Sequence, residues 1–181
     1  MVWENKLGDQ LFHENMNNIA PTGIIQYYNL VIKEARGAAV TDVAGKQYID
    51  LLGSASAANI GHNHPHLTEA LKAQIDKLVS YDVGYFTNPT SIALGERLTQ
   101  IAPGNSARKV SFGTSGSDAN DGIIKFARAA TGRSYIVSYE NAYHGSTFGA
   151  LTVGACDVDM VRKVGPLVPN VVHVPYPDTY R

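Results

Sequence analysis

Cysteine is nearly absent. The single Cys156 cannot form an intramolecular disulfide, which fits a reducing cytoplasm. An excess of one charge is absent too. Fifteen basic residues face sixteen acidic ones, the net charge is -1, and no Lys/Arg-rich run occurs. A nucleic acid or an anionic membrane is therefore not expected as the main partner. No apolar run approaches the roughly 18–20 residues that a membrane span needs. The start, Met1-Val2-Trp3-Glu4-Asn5-Lys6, has no basic segment feeding an apolar one, so no secretory signal is expected. There is no G-x-x-x-x-G-K-[ST] and hence no P-loop, and no G-x-G-x-x-G after a strand to support a dinucleotide site. Internal repeats and low-complexity tracts are also missing.

What is present suffices for a folded domain. The 181 residues fit the usual prior of about 100–200 residues per domain. Hydrophobic residues make up 44% and charged residues 17%, which argues against disorder. Seventeen glycines and ten tyrosines suggest tight turns and aromatic-lined surfaces.

Residues 1–23 lack clear periodicity, and Met16 to Gly23 reads as an arm or loop. From Tyr27 to Leu52 the pattern is strand-like, with a hairpin over Val40–Val43 and Lys46–Leu51 around Ala44-Gly45. Gly53 to Asn59 is a run of small residues that could line a cavity. Leu67, Leu71, Ile75 and Leu78 share one face of a helix predicted over 64–80, with Pro65 at its first position. A second helix is predicted from Asn88-Pro89 to Ile101, stopped by Pro103-Gly104. Tyr81 to Thr87 is an aromatic loop between them. Beyond it, strand and helix alternate. Strands are predicted at 109–112, 134–139 and 171–174, and a helix over 119–130 that buries Ala119, Ile123, Phe126, Ala127 and Ala130. This alternation implies an α/β fold with a mainly parallel sheet flanked by helices.

The most informative stretch is Phe112-Gly113-Thr114-Ser115-Gly116-Ser117-Asp118-Ala119-Asn120-Asp121. A strand, a Gly/Ser/Thr loop and a helix start would aim free N–H groups and the positive end of the helix dipole at one spot. Gly116 would let an anion approach the backbone, and the hydroxyls of Ser115 and Ser117 would add donors. A phosphate ester is the matching ligand. An ordinary capped helix, with Ser115 or Ser117 as N-cap and Asp118 in the first turn, uses the same residue types. A second element, Tyr139 to Thr147, follows the next strand and carries Tyr143-His144. In an α/β sheet, residues 113–118 and 143–147 should both lie at the carboxyl edge, where ligands bind. An aromatic face beside a phosphate cradle suits a flat, phosphorylated heteroaromatic cofactor, and simple packing is the alternative. His62-x-His64-x-His66 could suggest a metal. Pro65 sets it at a helix start, where the side chains diverge, so capping and packing are expected and a metal is not.

These blocks resemble the class III aminotransferase family, enzymes of the type I fold that use pyridoxal 5'-phosphate (PLP). The likeness rests on Ser115 to Asp121 with the Ile-Lys-x-Ala-Arg helix behind it, on Tyr143-His144-Gly145, and on Asp50-Leu51 with Asn59 to Pro65. It runs from about Tyr27 to Arg181. Within the family it is strongest to a branch that epimerises amino acids at Cα, through Tyr27 to Val31, Ser54 to Ala57, Ile101 to Ser106 and Val172 to Pro177.

The resemblance implies that Gly116 and Ser117 hold the PLP phosphate through the main chain, with Ser115 beside them. It implies that Tyr143 stacks on the pyridine ring, with His144 following it. Ser146 stands where many relatives carry Arg, and Ala55 where others carry a larger side chain. Losing that charge and bulk favours a bulky, neutral substrate such as isoleucine, valine or leucine. The implied chemistry has a lysine holding PLP as a Schiff base, an amino acid displacing it, and the ring taking up charge from Cα. Proton return to the opposite face gives epimerisation, and return to the cofactor gives transamination. A noncatalytic module that keeps the cradle and a nucleotide-binding domain are the other readings.

The resemblance also implies an incomplete fold. Residues 1–60 would be an N-terminal arm and hairpin of a small domain, and 61–181 the first part of a large PLP-binding domain. The family's Schiff-base lysine lies further on. Lys125, on the helix after the loop, and Lys163, in a loop, do not match it. The strands that separate the family's first strand from its second and third are also expected to be missing, which leaves an apolar sheet edge. A homodimer with active sites at the subunit interface is implied, with Tyr81–Thr87 as a candidate contact. The expected small-molecule partner is an amino acid.

Overall fold

The computed structural model describes residues 5–20, 28–82, 84–155 and 157–180. Pro21 to Gly23 of the expected arm, Tyr27, Val83 of the aromatic loop, and Cys156 lie outside the described residues. The chain falls into two compact units that meet in sequence at Phe86 and Thr87. No helix among the described residues is long and apolar enough to cross a membrane.

The first unit begins with a helix, α1 (Lys6–Asn18), where a loop was expected for Met16 onward. Its stability is local. Asn5 caps it by accepting the Gly8 N–H at 2.8 Å, and Asp9 complements the dipole in the first turn. Leu7 and Met16 remain about half exposed, so the helix has no deeply buried stripe for periodicity to reveal.

Three antiparallel strands follow, in the order β1 (Ile32–Arg36), β2 (Ala39–Asp42), β3 (Gln47–Ile49). The expected hairpin is β2–β3, with Val40 opposite Tyr48. Asp42 ends β2 and is fully buried. Its carboxylate accepts the N–H groups of Ala44 and Lys46, both at 2.9 Å, and the Tyr48 hydroxyl at 3.1 Å. It also accepts the Asn5 side-chain amide at 3.3 Å. One carboxylate thus closes the turn and ties it to the cap of α1. A buried carboxylate without such donors would be costly.

A short turn, α2 (Gly53–Ser56), and a helix, α3 (Pro65–Ile75), complete the unit. Helix α3 starts at Pro65 as expected but ends before 80, because Asp76 closes its last turn. Its stripe of Leu67, Leu71 and Ile75 stays exposed.

The second unit opens with α4 (Pro89–Ile101), capped by Asn88, whose side chain accepts the Ser91 N–H. Residues 109–112 do not form the expected strand. A strand needs a neighbour to take its N–H and C=O groups, and no described strand lies alongside to do so. The next elements are α5 (Gly116–Thr131), β4 (Ile136–Tyr139), α6 (Phe148–Val153) and β5 (Val171–Val174). Strands β4 and β5 are parallel, with Ile136 opposite Val171 and Tyr139 opposite Val174. Helix α6 lies between them in sequence and packs on both, a βαβ arrangement. The Ser138 hydroxyl fastens β4 to α6 by donating to the Val153 carbonyl at 2.6 Å.

The packed side of α5 differs from expectation. Ile124 is buried at 7% exposure, whereas Ile123 and Phe126 are 60% and 58% exposed. Helix α6 packs against α5, and the side it meets is the Ser117–Asp121–Ile124 face, whose polar members hydrogen-bond residues 146–150. The apolar stripe predicted from periodicity is displaced from this face by one residue.

The Asp42 carboxyl tests the first unit. Burial alone would raise its pKa, but the hydrogen bonds from the Lys46 N–H, the Tyr48 hydroxyl and the Ala44 N–H, with the Lys46 charge, hold it below 3.8. A depressed folded pKa means that this stabilisation is complete above the ordinary value and is lost as pH falls through the lower, folded value. Hydrogen-exchange protection at the Ala44 and Lys46 amides should hold down to about pH 4 and collapse below it. In Asp42→Asn the protection should be weaker at neutral pH and lose this acid step.

Candidate functional site

The site grows from the start of α5. Ser115 is its N-cap, with extended backbone, and its hydroxyl oxygen accepts the Asp118 N–H at 3.2 Å. The Asp118 carboxylate turns back and accepts the Thr114 N–H at 2.9 Å. The capped-helix reading of this loop therefore holds, but it uses only one of the free donors. Among the described residues, the N–H groups of Gly116 and Ser117 meet no acceptor. A Cβ placed on Gly116 would meet nothing within 4 Å. The first turn thus presents two unused N–H groups, the dipole's positive end and open space, the combination that binds an anion.

Residues 143–147 follow β4 and lie against this turn. The Ser117 hydroxyl oxygen accepts the Ser146 N–H at 3.1 Å, and the Thr147 hydroxyl donates to the Ser117 carbonyl at 3.3 Å. The Asn120 side-chain amide donates to the His144 carbonyl at 2.7 Å. The expected juxtaposition of 113–118 and 143–147 is present. Because Ser117 accepts with its oxygen, its hydroxyl hydrogen remains to donate to a ligand.

Gly145 explains how close the two segments come. Its φ is +127°, and a Cβ there would lie 2.7 Å from the Ser117 Cα. Only glycine fits both the backbone angle and the space. Gly149, with ordinary helical backbone, is limited by space alone, because a Cβ there would meet the Asp121 carboxylate, which accepts the Ala150 N–H at 2.7 Å. Tyr143 is 64% exposed, and its hydroxyl lies 3.3 Å from the Ser146 hydroxyl. An uncovered aromatic ring thus sits in the segment fastened to the open first turn of α5.

Ser115, Gly116, Ser117, Tyr143, His144 and Ser146 are therefore gathered in the second unit. Ala55 lies in the first unit, exposed, within a left-handed stretch in which Ser54, Ala55 and Ser56 have φ of 52°, 54° and 69°. Such residues cost about 1–3 kcal/mol each and recur at functional positions. The Asp50 carboxylate steadies this turn by accepting the N–H groups of Leu52 and Gly53 at 3.0 and 2.9 Å.

Asp50 also pairs with His62 Nε2 at 2.7 Å. That bond, with the Gly53 N–H, holds the Asp50 carboxyl below its ordinary pKa range. His62 therefore has an acidic partner twelve residues upstream, which local spacing gave no sign of. His64 occupies the N-cap position of α3 without a side-chain capping bond. Its expected capping role is not seen, because its side chain carries no bond to the first turn. No group of three or more metal-binding side chains occurs among the described residues.

Sequence reasoning missed Asn120 and Asp121 as site residues. With Ser117 and Ile124 they fall at steps of three, one and three, a helical face whose polar half grips the next loop. That spacing was the available signal.

The site is a strand-following loop fastened to the open start of a helix in an α/β unit, in a chain whose fold matches that of solved PLP-bound transaminases. Residues 23–181 match the family described as Aminotransferase class-III, and the chain belongs to that family. It is 55% identical to isoleucine 2-epimerase from Lentilactobacillus buchneri, over 95% of this chain and 38% of that protein. It is 40% identical to leucine/methionine racemase from Thermococcus litoralis, over 87% of this chain and 35% of that protein. Among solved structures it is similar to taurine:2-oxoglutarate aminotransferase from Bifidobacterium kashiwanohense, determined with PLP and glutamate. The TM-score is 0.83 and the identity 30%, over 98% of this chain and 40% of that one. The chain thus spans less than two-fifths of the curated relatives it matches.

Gly145→Ala tests the junction. A methyl group there strains the backbone and meets Ser117, so denaturant unfolding of the whole protein should show a loss of more than about 1 kcal/mol.

Proposed function

We propose that this chain is the N-terminal portion of a PLP-dependent enzyme that inverts the Cα centre of branched-chain amino acids such as isoleucine. The observation that carries the reading is the Ser117–Ser146 junction. It joins a turn with unused anion donors to a segment bearing an uncovered aromatic ring. The 55% identity to isoleucine 2-epimerase supports the choice within the family.

The residues fit the cofactor. The N–H groups of Gly116 and Ser117, and the hydroxyls of Ser117 and Ser115, take the phosphate at the positive end of α5. Tyr143 offers its ring face, and His144 joins it to the buried Gly145. Bound PLP supplies an electron sink for charge developing at the Cα of an amino acid. Ser117 performs two tasks, donating its proton towards the phosphate and accepting the Ser146 N–H, so the phosphate anchor and the ring-bearing loop share one atom. Ser146 brings no guanidinium to the substrate side chain, which suits a branched aliphatic group. The whole protein is proposed to be a homodimer, by analogy with the family, and cytoplasmic.

Incubating the whole protein with L-isoleucine and no keto acid tests the reading. Chiral chromatography should show the Cα-inverted diastereomer accumulating to equilibrium. Turnover that requires an added keto acid would instead favour a class III aminotransferase, the activity named for other relatives such as the probable 4-aminobutyrate aminotransferase of Bacillus subtilis. Ser146→Arg should lower kcat/KM for isoleucine by about tenfold or more, because it sets a guanidinium beside a neutral substrate side chain.

A further inference from the structure

We infer that Asn120 is a positioning residue that fixes the ring-bearing loop through the His144 carbonyl, independently of phosphate binding. The inference rests on the PLP reading above and divides its site into two separable parts.

Three residues in the first turns of α5 hold the following loop, Ser117 also accepting the Thr147 hydroxyl with its carbonyl. Ser117 accepts the Ser146 N–H, Asn120 donates to the His144 carbonyl, and Asp121 accepts the Ala150 N–H. Their tasks differ. Ser117 belongs to the anion-binding turn itself. Asp121 meets the first turn of α6, where it occupies an orphan N–H of that helix. Asn120 alone reaches the peptide that directly follows Tyr143-His144.

That peptide is pinned at both ends. Its oxygen receives the Asn120 amide at 2.7 Å. Its far side is Gly145, buried, at φ +127° and pressed against the Ser117 Cα. Gly145 adopts this angle at little intrinsic cost, and the Asn120 bond to the carbonyl before it and the Ser146 N–H bond after it together hold it there. Tyr143 is largely exposed and has little packing to hold its ring. Beyond the 3.3 Å contact of its hydroxyl with Ser146, its direction depends on the backbone that follows, whose His144 carbonyl Asn120 holds. The donor chemistry is specific. An aspartate of the same shape would face the carbonyl with an oxygen, and alanine would leave a half-buried carbonyl unpaired.

The test uses the whole protein stripped of cofactor, in its native form and as Asn120→Ala and Asn120→Asp. Three quantities are measured: the Kd for PLP, the Kd for inorganic phosphate, and the visible circular dichroism of the PLP complex. Both variants should bind inorganic phosphate within about twofold of the native protein and PLP about tenfold more weakly, the effect of one hydrogen bond. The dichroic band should shrink, because the ring is less fixed. Equal PLP affinity with an unchanged band in the variants would overturn the inference. So would a parallel loss of phosphate affinity, which would make Asn120 part of the anion turn. Loss of the far-ultraviolet dichroism in both variants would also overturn it, by making the residue a general support of the fold. If the native apoprotein binds no PLP, the underlying reading fails, and that result is distinct from the three others.

Discussion

The hydroxyl oxygen of Ser117 accepts the Ser146 N–H across 29 residues of chain, and the arrangement of the second unit depends on the closeness that this bond records. The approach requires Gly145 to lack a side chain. It requires α5 to begin at Gly116, so that Ser117 lies in the first turn and faces the loop. It also requires β4 to end at Tyr139, so that the loop leaves the strand on that side. Each requirement is local, and together they place a polar, open helix start beside an aromatic residue. The energy of the bond itself is modest, about 1 kcal/mol. Its importance is geometric, since the N–H groups of Gly116 and Ser117 stay free only while the loop is satisfied by side chains.

A comparable economy operates in the first unit. Asp42 takes four donors on two oxygens and so joins the α1 cap, the β2–β3 turn and Tyr48. Asp50 joins the strained turn at residues 53–56 to His62. His62 is in turn bridged to Gly37 through paired backbone bonds of 2.8 and 2.9 Å. Buried or half-buried carboxylates thus organise segments whose large apolar side chains stay mostly exposed.

The meeting of the two loops was legible because its signals are local. A Gly/Ser loop before a helix, and Tyr-His-Gly after a strand, announce their chemistry within ten residues. The hairpin and the starts of α3 and α4 were legible for the same reason, through Gly45, Pro65 and Asn88-Pro89. What escaped needed partners distant in sequence. Residues 109–112 have strand composition, yet a strand exists only beside another strand. The packed face of α5 is chosen by α6 and the loop before it, so the Ile123–Phe126 stripe misled. Helix α1 and the six-residue α6 lack a long apolar period, and Asp50–His62 joins residues that no local pattern connects. Asn120 and Asp121 stood in view within the motif, but their role appears only when the loop they hold is seen.

The central claim is that the first turn of α5 is an anion site joined to a ring-binding loop. Amide chemical shifts of the whole apoprotein, followed while PLP is added, test it most directly. The account predicts that the Gly116 and Ser117 amides shift most strongly, with Ser146 moving at the same PLP concentrations through the shared Ser117 hydroxyl. Saturable PLP binding that leaves the Gly116 and Ser117 amides unmoved would contradict it.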